Sequence, residues 1–390
     1  MTTIEKTDKH IMRSYGRLPL AIESGSGALA TAEEGKQYID FGSGIGTNSL
    51  GYCDSDWAKA VSKQAKTLQH NSNYYCNKPG AEFAERLCAV TGYTNMFFAN
   101  SGAEANECAI KIARKYSFDK YGKNRHTIIT LTNSFHGRTL ATLSATGQED
   151  MHNYFFPFAE GFVHVEANNI DDLKTKFDSH NSEICAVMIE YIQGEGGVVE
   201  LEQGFVDEIF KICAVRDVLI IADEVQTGAA RTGKFLAGEH YGKRADITTL
   251  AKGIGGGLPL GVCLANEKCA GVLTAGTHGS TYGGNPVVLA GALAVLKKTS
   301  KPEFSNEVTE KGEYIREKLQ GLDEVVSFSG KGLMLGITLK NKKAPDVLKD
   351  ALQKGLLTLT AKEKLRLLPP LNIDYDSLDK GLEILKEILG

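Results

Sequence analysis

Two polar residues close two apolar runs, and together they could do chemistry that neither could do alone. The run from Val218 to Ala222 is short and β-branched and stops at a carboxylate, Asp223. The run from Ile247 to Ala251 stops at an amine, Lys252, followed by Gly253, Gly255, Gly256 and Gly257. Short runs of this kind read as strands buried on both faces, and in open α/β sheets ligands bind beyond the carboxyl ends of the strands. An acid and a lysine at neighbouring strand ends suit a pyridoxal phosphate site. The lysine would form a Schiff base with the aldehyde, and the aspartate would pair with the pyridinium nitrogen, keeping the ring able to withdraw electrons from a substrate carbanion. The plain alternative for the same two residues is a solvated lysine and an aspartate capping the next helix.

The elements around them must bring both groups to one edge. Asn95 to Ala99, Thr127 to Leu131 and Ile184 to Ile189 are further apolar runs, the last ending at Glu190, and Phe205 to Val215 reads as a helix feeding the Val218 strand. Strands separated by helical stretches predict βαβ units and a mainly parallel sheet, an α/β fold. Phe135, Arg138, Glu190, Asp223 and Lys252 then gather at one edge of it. Ser101-Gly102-Ala103-Glu104 makes a turn into a helix running to about Tyr116, with Ala109, Ile112, Ala113 and Tyr116 on its apolar face. Ser101 and Glu104 fit a capping box. Such a helix start offers free N–H groups and the positive dipole end to a phosphate, although a simply capped helix carries the same signature.

Residues 56–69 and 80–91 read as amphipathic helices. The first 45 residues mix a polar leader with short extended pieces such as Tyr38 to Phe41. After Asn285-Pro286 the pattern changes, with helices near 286–299, 303–320, 346–355 and 376–389 and strands near 333–339 and 364–368. The expected organisation is an N-terminal arm, 1–45, joining a small C-terminal α+β domain, 286–390, with a large domain over 46–285 between them.

A chain of 390 residues can bury a sizeable core in one very large or two ordinary domains. Its 42% hydrophobic and 24% charged content is that of an ordinary soluble globular chain. A net charge of −4 without a long run of one sign implies neither nucleic acid nor an anionic membrane as partner. The first residues lack an apolar signal core, and no stretch approaches the roughly 20 apolar residues a bilayer span needs. Eight scattered cysteines form no CxxC pair, and Cys185, Cys213 and Cys263 sit in apolar runs as reduced buried thiols would. The expected location is the cytoplasm.

Rival motifs are incomplete. Gly228 to Lys234 matches the first seven positions of a phosphate-binding loop, but Phe235 stands where a Ser or Thr must hold magnesium. The glycine-rich 42–51 segment has Thr47 where a dinucleotide fingerprint needs its third glycine. No HExxH, CxxC pair or calcium-loop spacing exists, so no metal is expected. His136, beside Ser134, reads as a loop or stacking residue. A P-loop nucleotidase and a non-catalytic binding scaffold remain the readings outside pyridoxal phosphate chemistry.

Six blocks carry a resemblance: SGAEANE at 101–107, FHGRT at 135–139, QGEGG at 193–197, DEVQTG at 223–228, LAKGIGGGLPLG at 250–261 and GSTYGGNP at 279–286. In this order they resemble the class III aminotransferases of the fold type I pyridoxal phosphate enzymes. The nearest likeness is to the acetylornithine aminotransferases of arginine biosynthesis, and it runs from about Tyr15 to Pro370. The resemblance implies that Lys252 and Asp223 are catalytic, Lys252 bonding the pyridoxal 5'-phosphate and then carrying protons, and Asp223 facing its ring nitrogen. It implies that Ser101, Gly102 and Ala103 hold the phosphate and that Phe135 stacks on the ring. Gln226 lies near the phenolic oxygen, Glu190 in the outer shell, and Glu224 and Val225 beside the cofactor. Thr281 reaches the phosphate from a second subunit, so a homodimer with shared sites is implied. Tyr15, Arg138, Glu195, Ser280 and Arg366 are the implied substrate-binding residues: Arg138 for the distal carboxylate, and Arg366, masked by Glu195, for the α-carboxylate of glutamate.

The implied reaction is ping-pong transfer of the terminal amine of N2-acetyl-L-ornithine to 2-oxoglutarate. SGAEANE favours that branch over the ornithine and 4-aminobutyrate branches; succinylornithine and succinyldiaminopimelate are the other alternative donors. Two departures from the family pattern lie near substrate-side loops. Tyr52-Cys53-Asp54 stands where the family usually has a histidine-rich segment, and Tyr191 replaces the proline that commonly follows the glutamate.

Overall fold

Seven strands build the sheet that organises the chain: β1 (Asn95–Ala99), β2 (Thr127–Leu131), β3 (Phe162–Val165), β4 (Ile184–Ile189), β5 (Leu219–Asp223), β6 (Ile247–Leu250) and β7 (Gly261–Ala265). They come from a computed structural model that describes residues 1–390. The spatial order is β1-β7-β6-β5-β4-β2-β3. Strands β3, β2, β4, β5 and β6 pair in parallel, as the strand–helix alternation predicts. Strand β7 is reversed against both of its neighbours and was not foreseen. The link from β6 to β7 is too short for the crossover of a dozen or more residues that parallel pairing needs.

Every residue of β2, β4, β5, β6 and β7 is buried, because helices cover both faces. Period-2 alternation divides the strands between two cores. On one face Ile128, Ala186 and Ile221 pack with Cys108, Ile112 and Ala113 of helix Gly102–Tyr121. On the other, Ile129, Val187 and Ile220 pack with Leu173 and Phe177 of helix Ile170–Ser179 and with Phe205 and Ile209 of helix Gln203–Arg216.

The C-terminal part has a sheet of its own, Val325–Lys331, Met334–Leu339, Lys364–Leu367 and Leu359–Ala361 in that spatial order, all antiparallel. Its core joins Leu335, Ile337 and Leu365 to Val308, Val347 and Leu382 from three helices. The N-terminal strands Ile22–Ser26, Leu29–Ala32 and Gln37–Asp40 form a meander whose last strand pairs in parallel with Leu356–Leu357. The polar leader holds an unforeseen helix, Thr3–His10, capped reciprocally by Thr2 and Glu5 and burying no residue.

Helix Pro286–Thr299, expected to open the small domain, sits elsewhere. Its Leu289, Ala292, Leu293 and Leu296 pack with Phe83, Leu87, Ile254 and Val262 beside the large sheet, so the change of core comes after Thr299. Proline at its first turn marks a helix start and says nothing about which core the helix joins. The helix expected over 56–69 ends earlier, spanning Ser55–Ala65, and the one expected over 80–91 starts earlier, at Lys78, behind the cap Asn77.

Candidate active site

The carboxyl ends of β4, β5 and β6, the helix start at Gly102 and the loop after β2 converge on one cavity of about 480 Å³. Asp223, the last residue of β5, is 4% exposed. Its Oδ2 accepts from Asn106 Nδ2 and from His136 Nδ1, both at 2.8 Å, and its Oδ1 accepts from the Val225 amide at 3.0 Å. Asn106 also donates to the His136 carbonyl at 2.8 Å and accepts from the Thr249 hydroxyl at 2.7 Å. His136, on the loop after β2 as expected, is thus also a partner of the carboxylate. A carboxylate neighbour requires the proton on Nδ1. Asn106 was missed as well, although a buried amide on an otherwise apolar helix face was a readable signal.

Lys252 follows β6 in a left-handed conformation, φ 44°, which a non-glycine residue holds at a cost of about 1–3 kcal/mol. Its amine lines the cavity and makes no hydrogen bond or ion pair. Burial pushes the amine below its ordinary range, against the pull of Glu195 and Asp223. An amine with some neutral character can attack a carbonyl.

Ser101 caps helix Gly102–Tyr121, accepting from the Glu104 amide at 3.2 Å. Glu104 reaches the Asn100 amide at 2.7 Å, so the expected capping box is displaced by one residue. The amides of Gly102 and Ala103 lie in the first turn, where no intrahelical acceptor exists. A Cβ on Gly102 would stand 2.7 Å from Val225 Cγ1, and one on Gly137, at φ 143°, would stand 2.7 Å from the Ala103 Cβ. These close approaches hold the helix start between the loop after β2 and the segment after β5.

Glu190 is buried at the end of β4. Its two oxygens accept from the Phe135 amide at 2.9 Å and the Gly194 amide at 3.0 Å. It therefore positions the aromatic ring and the loop leading to Glu195. Burial pushes its carboxyl well above the ordinary range, with His136 and the two amides opposing and Asp223 adding to the rise. Arg138 is exposed at the cavity without an ion pair, its guanidinium 5.7 Å from the Phe135 ring centre.

The other arginine arrives from the C-terminal sheet. Arg366, 2% exposed, donates to Glu195 at 2.7 and 3.2 Å and to Gln226 at 3.1 Å. Gln226 donates in turn to Glu195 at 3.3 Å. Burial alone would raise the Glu195 carboxyl, but Arg366 outweighs it and holds the group below its ordinary range. The pair spans 171 residues of sequence and ties the C-terminal sheet to the loop whose Glu195 lines the cavity.

The remaining expected residues are placed as follows. Val225 and Gln226 line the cavity. Glu224 is a correction: it follows the strand end, where the backbone turns, and its carboxylate faces away from the cavity and accepts from the amides of Ala237 at 2.6 Å and Gly238 at 3.0 Å. Ser280 stands at the rim, where Asn100 donates to its hydroxyl at 3.1 Å. Thr281 is exposed, and Tyr15 is 75% exposed; neither lines the cavity of this chain. Thr47 and Pro259 line it without having been foreseen.

The donor set fits pyridoxal phosphate. It offers an unpartnered amine for the aldehyde, a carboxylate with one lightly used oxygen for a protonated nitrogen, a helix start for the phosphate, and an aromatic face.

A family model described as aminotransferase class-III matches residues 11–389. The chain is 48% identical over 382 residues to the acetylornithine aminotransferase of Haemophilus ducreyi, covering 98% of this chain and 96% of that protein. Among solved structures, the N-acetylornithine aminotransferase of Stenotrophomonas maltophilia is similar at a TM-score of 0.85 and 32% identity, over 98% of this chain and 97% of that one. The ornithine aminotransferase of Toxoplasma gondii is similar at a TM-score of 0.92 and 28% identity, over 98% and 93%. The backbone is thus shared between enzymes named for different donors, whereas the family match extends along nearly the whole sequence: the chain belongs to the class-III aminotransferases, enzymes that work with pyridoxal phosphate.

Proposed function

We propose that this aminotransferase moves the terminal amine of N2-acetyl-L-ornithine to 2-oxoglutarate, giving N-acetyl-L-glutamate 5-semialdehyde and L-glutamate, a step of arginine biosynthesis. The observation that carries the reading is the Glu195–Arg366 pair beside a free Arg138. One pocket must serve a donor with a single carboxylate, far from the reacting amine, and glutamate, with a second carboxylate next to it. A free cation serves the distal carboxylate in both cases, and a masked cation serves the second when glutamate binds. The acylated donor is supported by the name of the 48% identical relative.

When bound, the cofactor supplies the electron sink and carries the amino group between the two half-reactions. Lys252 would hold it covalently and, once released, move a proton on its Nζ to and from the amine-bearing carbon. Asp223, fixed by His136 and Asn106, would keep the ring nitrogen protonated. The Gly102 and Ala103 amides with Ser101 would hold the phosphate, Phe135 would stack, and Gln226 would reach the phenolic oxygen. Ser280 at the rim and Tyr15 would complete the entrance once a second copy is in place, with Thr281 crossing to the partner's phosphate. Exposed Tyr74 (95%), Tyr154 (82%), Phe156 (71%) and Tyr282 (63%) support such a homodimer. Eight free thiols, five of them buried, support a reducing, cytoplasmic location.

The test is glutamate formation from 2-oxoglutarate with N2-acetylornithine, N-succinylornithine, ornithine and 4-aminobutyrate as donors. N2-acetylornithine is expected to give the highest kcat/KM. A higher value for ornithine or 4-aminobutyrate overturns the donor assignment.

A further inference from the structure

A second cavity, of about 380 Å³, lies behind the segment that carries Asp223. Two side chains that line it, Tyr191 and Glu224, are each 1% exposed. The Tyr191 hydroxyl has no hydrogen-bond partner. The Glu224 carboxylate accepts from two amides and from the Thr227 hydroxyl at 3.1 Å, but no cation pairs with it. A buried phenol without a partner and a buried acid without a counter-ion are both costly, and neither takes part in the chemistry of the first cavity. Tyr191 is also one of the two places where the sequence departs from the family pattern.

The outer part of the same cavity has the opposite character. Lys234 is exposed there without an ion pair. Arg244 lies 5.8 Å from the Tyr93 ring centre and donates only to the Gly92 carbonyl, at 2.8 Å. Lys243 is already committed to Asp207 at 2.7 Å, and Glu239 accepts from the Leu236 amide at 2.8 Å. Helix Pro302–Leu319 also begins at this cavity, but Pro302 brings no N–H, the Phe304 amide is given to the Lys301 carbonyl and Glu303 puts an acid in the first turn, so the cationic character rests on Lys234 and Arg244. The run from Gly228 to Lys234, whose likeness to a phosphate loop fails at Phe235, is what delivers Lys234 here.

The geometry points to a second binding site for a small zwitterion of the amino-acid class, its ammonium group inward against Glu224 and the Tyr191 hydroxyl and its carboxylate outward at Lys234 and Arg244. A volume of about 380 Å³ far exceeds the roughly 30 Å³ a water occupies and falls within the usual range for small-molecule sites. The assignment does not depend on which donor the catalytic cavity accepts.

Titration calorimetry on holoenzyme whose cofactor has been fixed by borohydride tests it, because binding is then read without turnover. The probes are 5-aminopentanoate, with both charges, pentanoate, with only the carboxylate, and pentylamine, with only the ammonium. The two-ended probe is expected to bind, and to bind about tenfold or more weakly in Lys234→Ala and in Tyr191→Phe. The single-ended probes are expected to bind wild type weaker by a similar factor. Lys234→Ala should leave N2-acetylornithine turnover unchanged. No heat from 5-aminopentanoate at millimolar concentration overturns the proposal. So does an equal Kd in wild type and both variants, which would place the probe in the catalytic cavity. Pentanoate binding as tightly as 5-aminopentanoate overturns the two-ended assignment.

Discussion

Glu195→Ala is the most informative substitution at the catalytic cavity. In wild type the Arg366 guanidinium is held by Glu195 at 2.7 and 3.2 Å, with Gln226 as its only other side-chain partner, at 3.1 Å. Hydrogen bonds to charged groups contribute about 1.5–3 kcal/mol each in net terms. The Glu195 side chain is 28% exposed, so solvent screening moves the pair toward the lower end of that range. On the proposed function, glutamate would have to break the pair before its α-carboxylate could reach Arg366, whereas N2-acetylornithine would leave it intact. Removing Glu195 abolishes that opening step and is expected to favour glutamate by about 1.4 kcal/mol or more, a change of roughly tenfold in the ratio of the two half-reactions. The same substitution leaves a buried guanidinium uncompensated, a change typically costing about 3–5 kcal/mol of stability, so Tm should fall while the glutamate half-reaction improves. Single-turnover absorbance of the holoenzyme mixed with each donor measures the two rate constants. An unchanged ratio in a folded variant refutes the gate.

Lys252→Ala should keep the fold and bind pyridoxal phosphate non-covalently while turnover falls by several orders of magnitude; near-normal transamination would remove Lys252 from the chemistry. Asp223→Asn should still accept the cofactor but slow each half-reaction, because His136 and Asn106 would then position a neutral amide; a wild-type rate would mean the ring nitrogen lies elsewhere. Glu224 is buried, which pushes its carboxyl up to about 7. A raised folded value means its contribution is fully present below the ordinary carboxylate range and is lost as pH rises through about 7. Glu224→Gln should therefore flatten the fall of Tm between about pH 5 and 8, and an identical pH slope in both proteins would contradict that placement. Sedimentation at assay concentration should show a dimer, and a fully active monomer would mean that Thr281 serves no partner.

The sequence alone determined the parts of this protein whose information is local. Asp223 and Lys252 could be placed at strand ends because an apolar run stopped by one polar residue marks both the strand and its end. The capped helix start was legible from Ser101 to Glu104, since caps and free amides depend only on neighbouring residues. Family resemblance supplied the rest of the site list. Tertiary structure decided what lies between distant segments. Periodicity marks the buried face of helix Pro286–Thr299 but not that its partners are Phe83 and Val262 rather than the small domain's core. It gave no sign of β7, a fully buried strand that runs against both of its neighbours. His136 becomes the partner of Asp223 only when the loop after β2 folds onto the end of β5. The Glu195–Arg366 pair was implied by resemblance, yet its contacts exist only because the C-terminal sheet packs beside the loop after β4. Glu224 could not be separated from Asp223 by residue type, because two adjacent carboxylates look alike in sequence. The turn of the backbone sends one into the catalytic cavity and the other out of it.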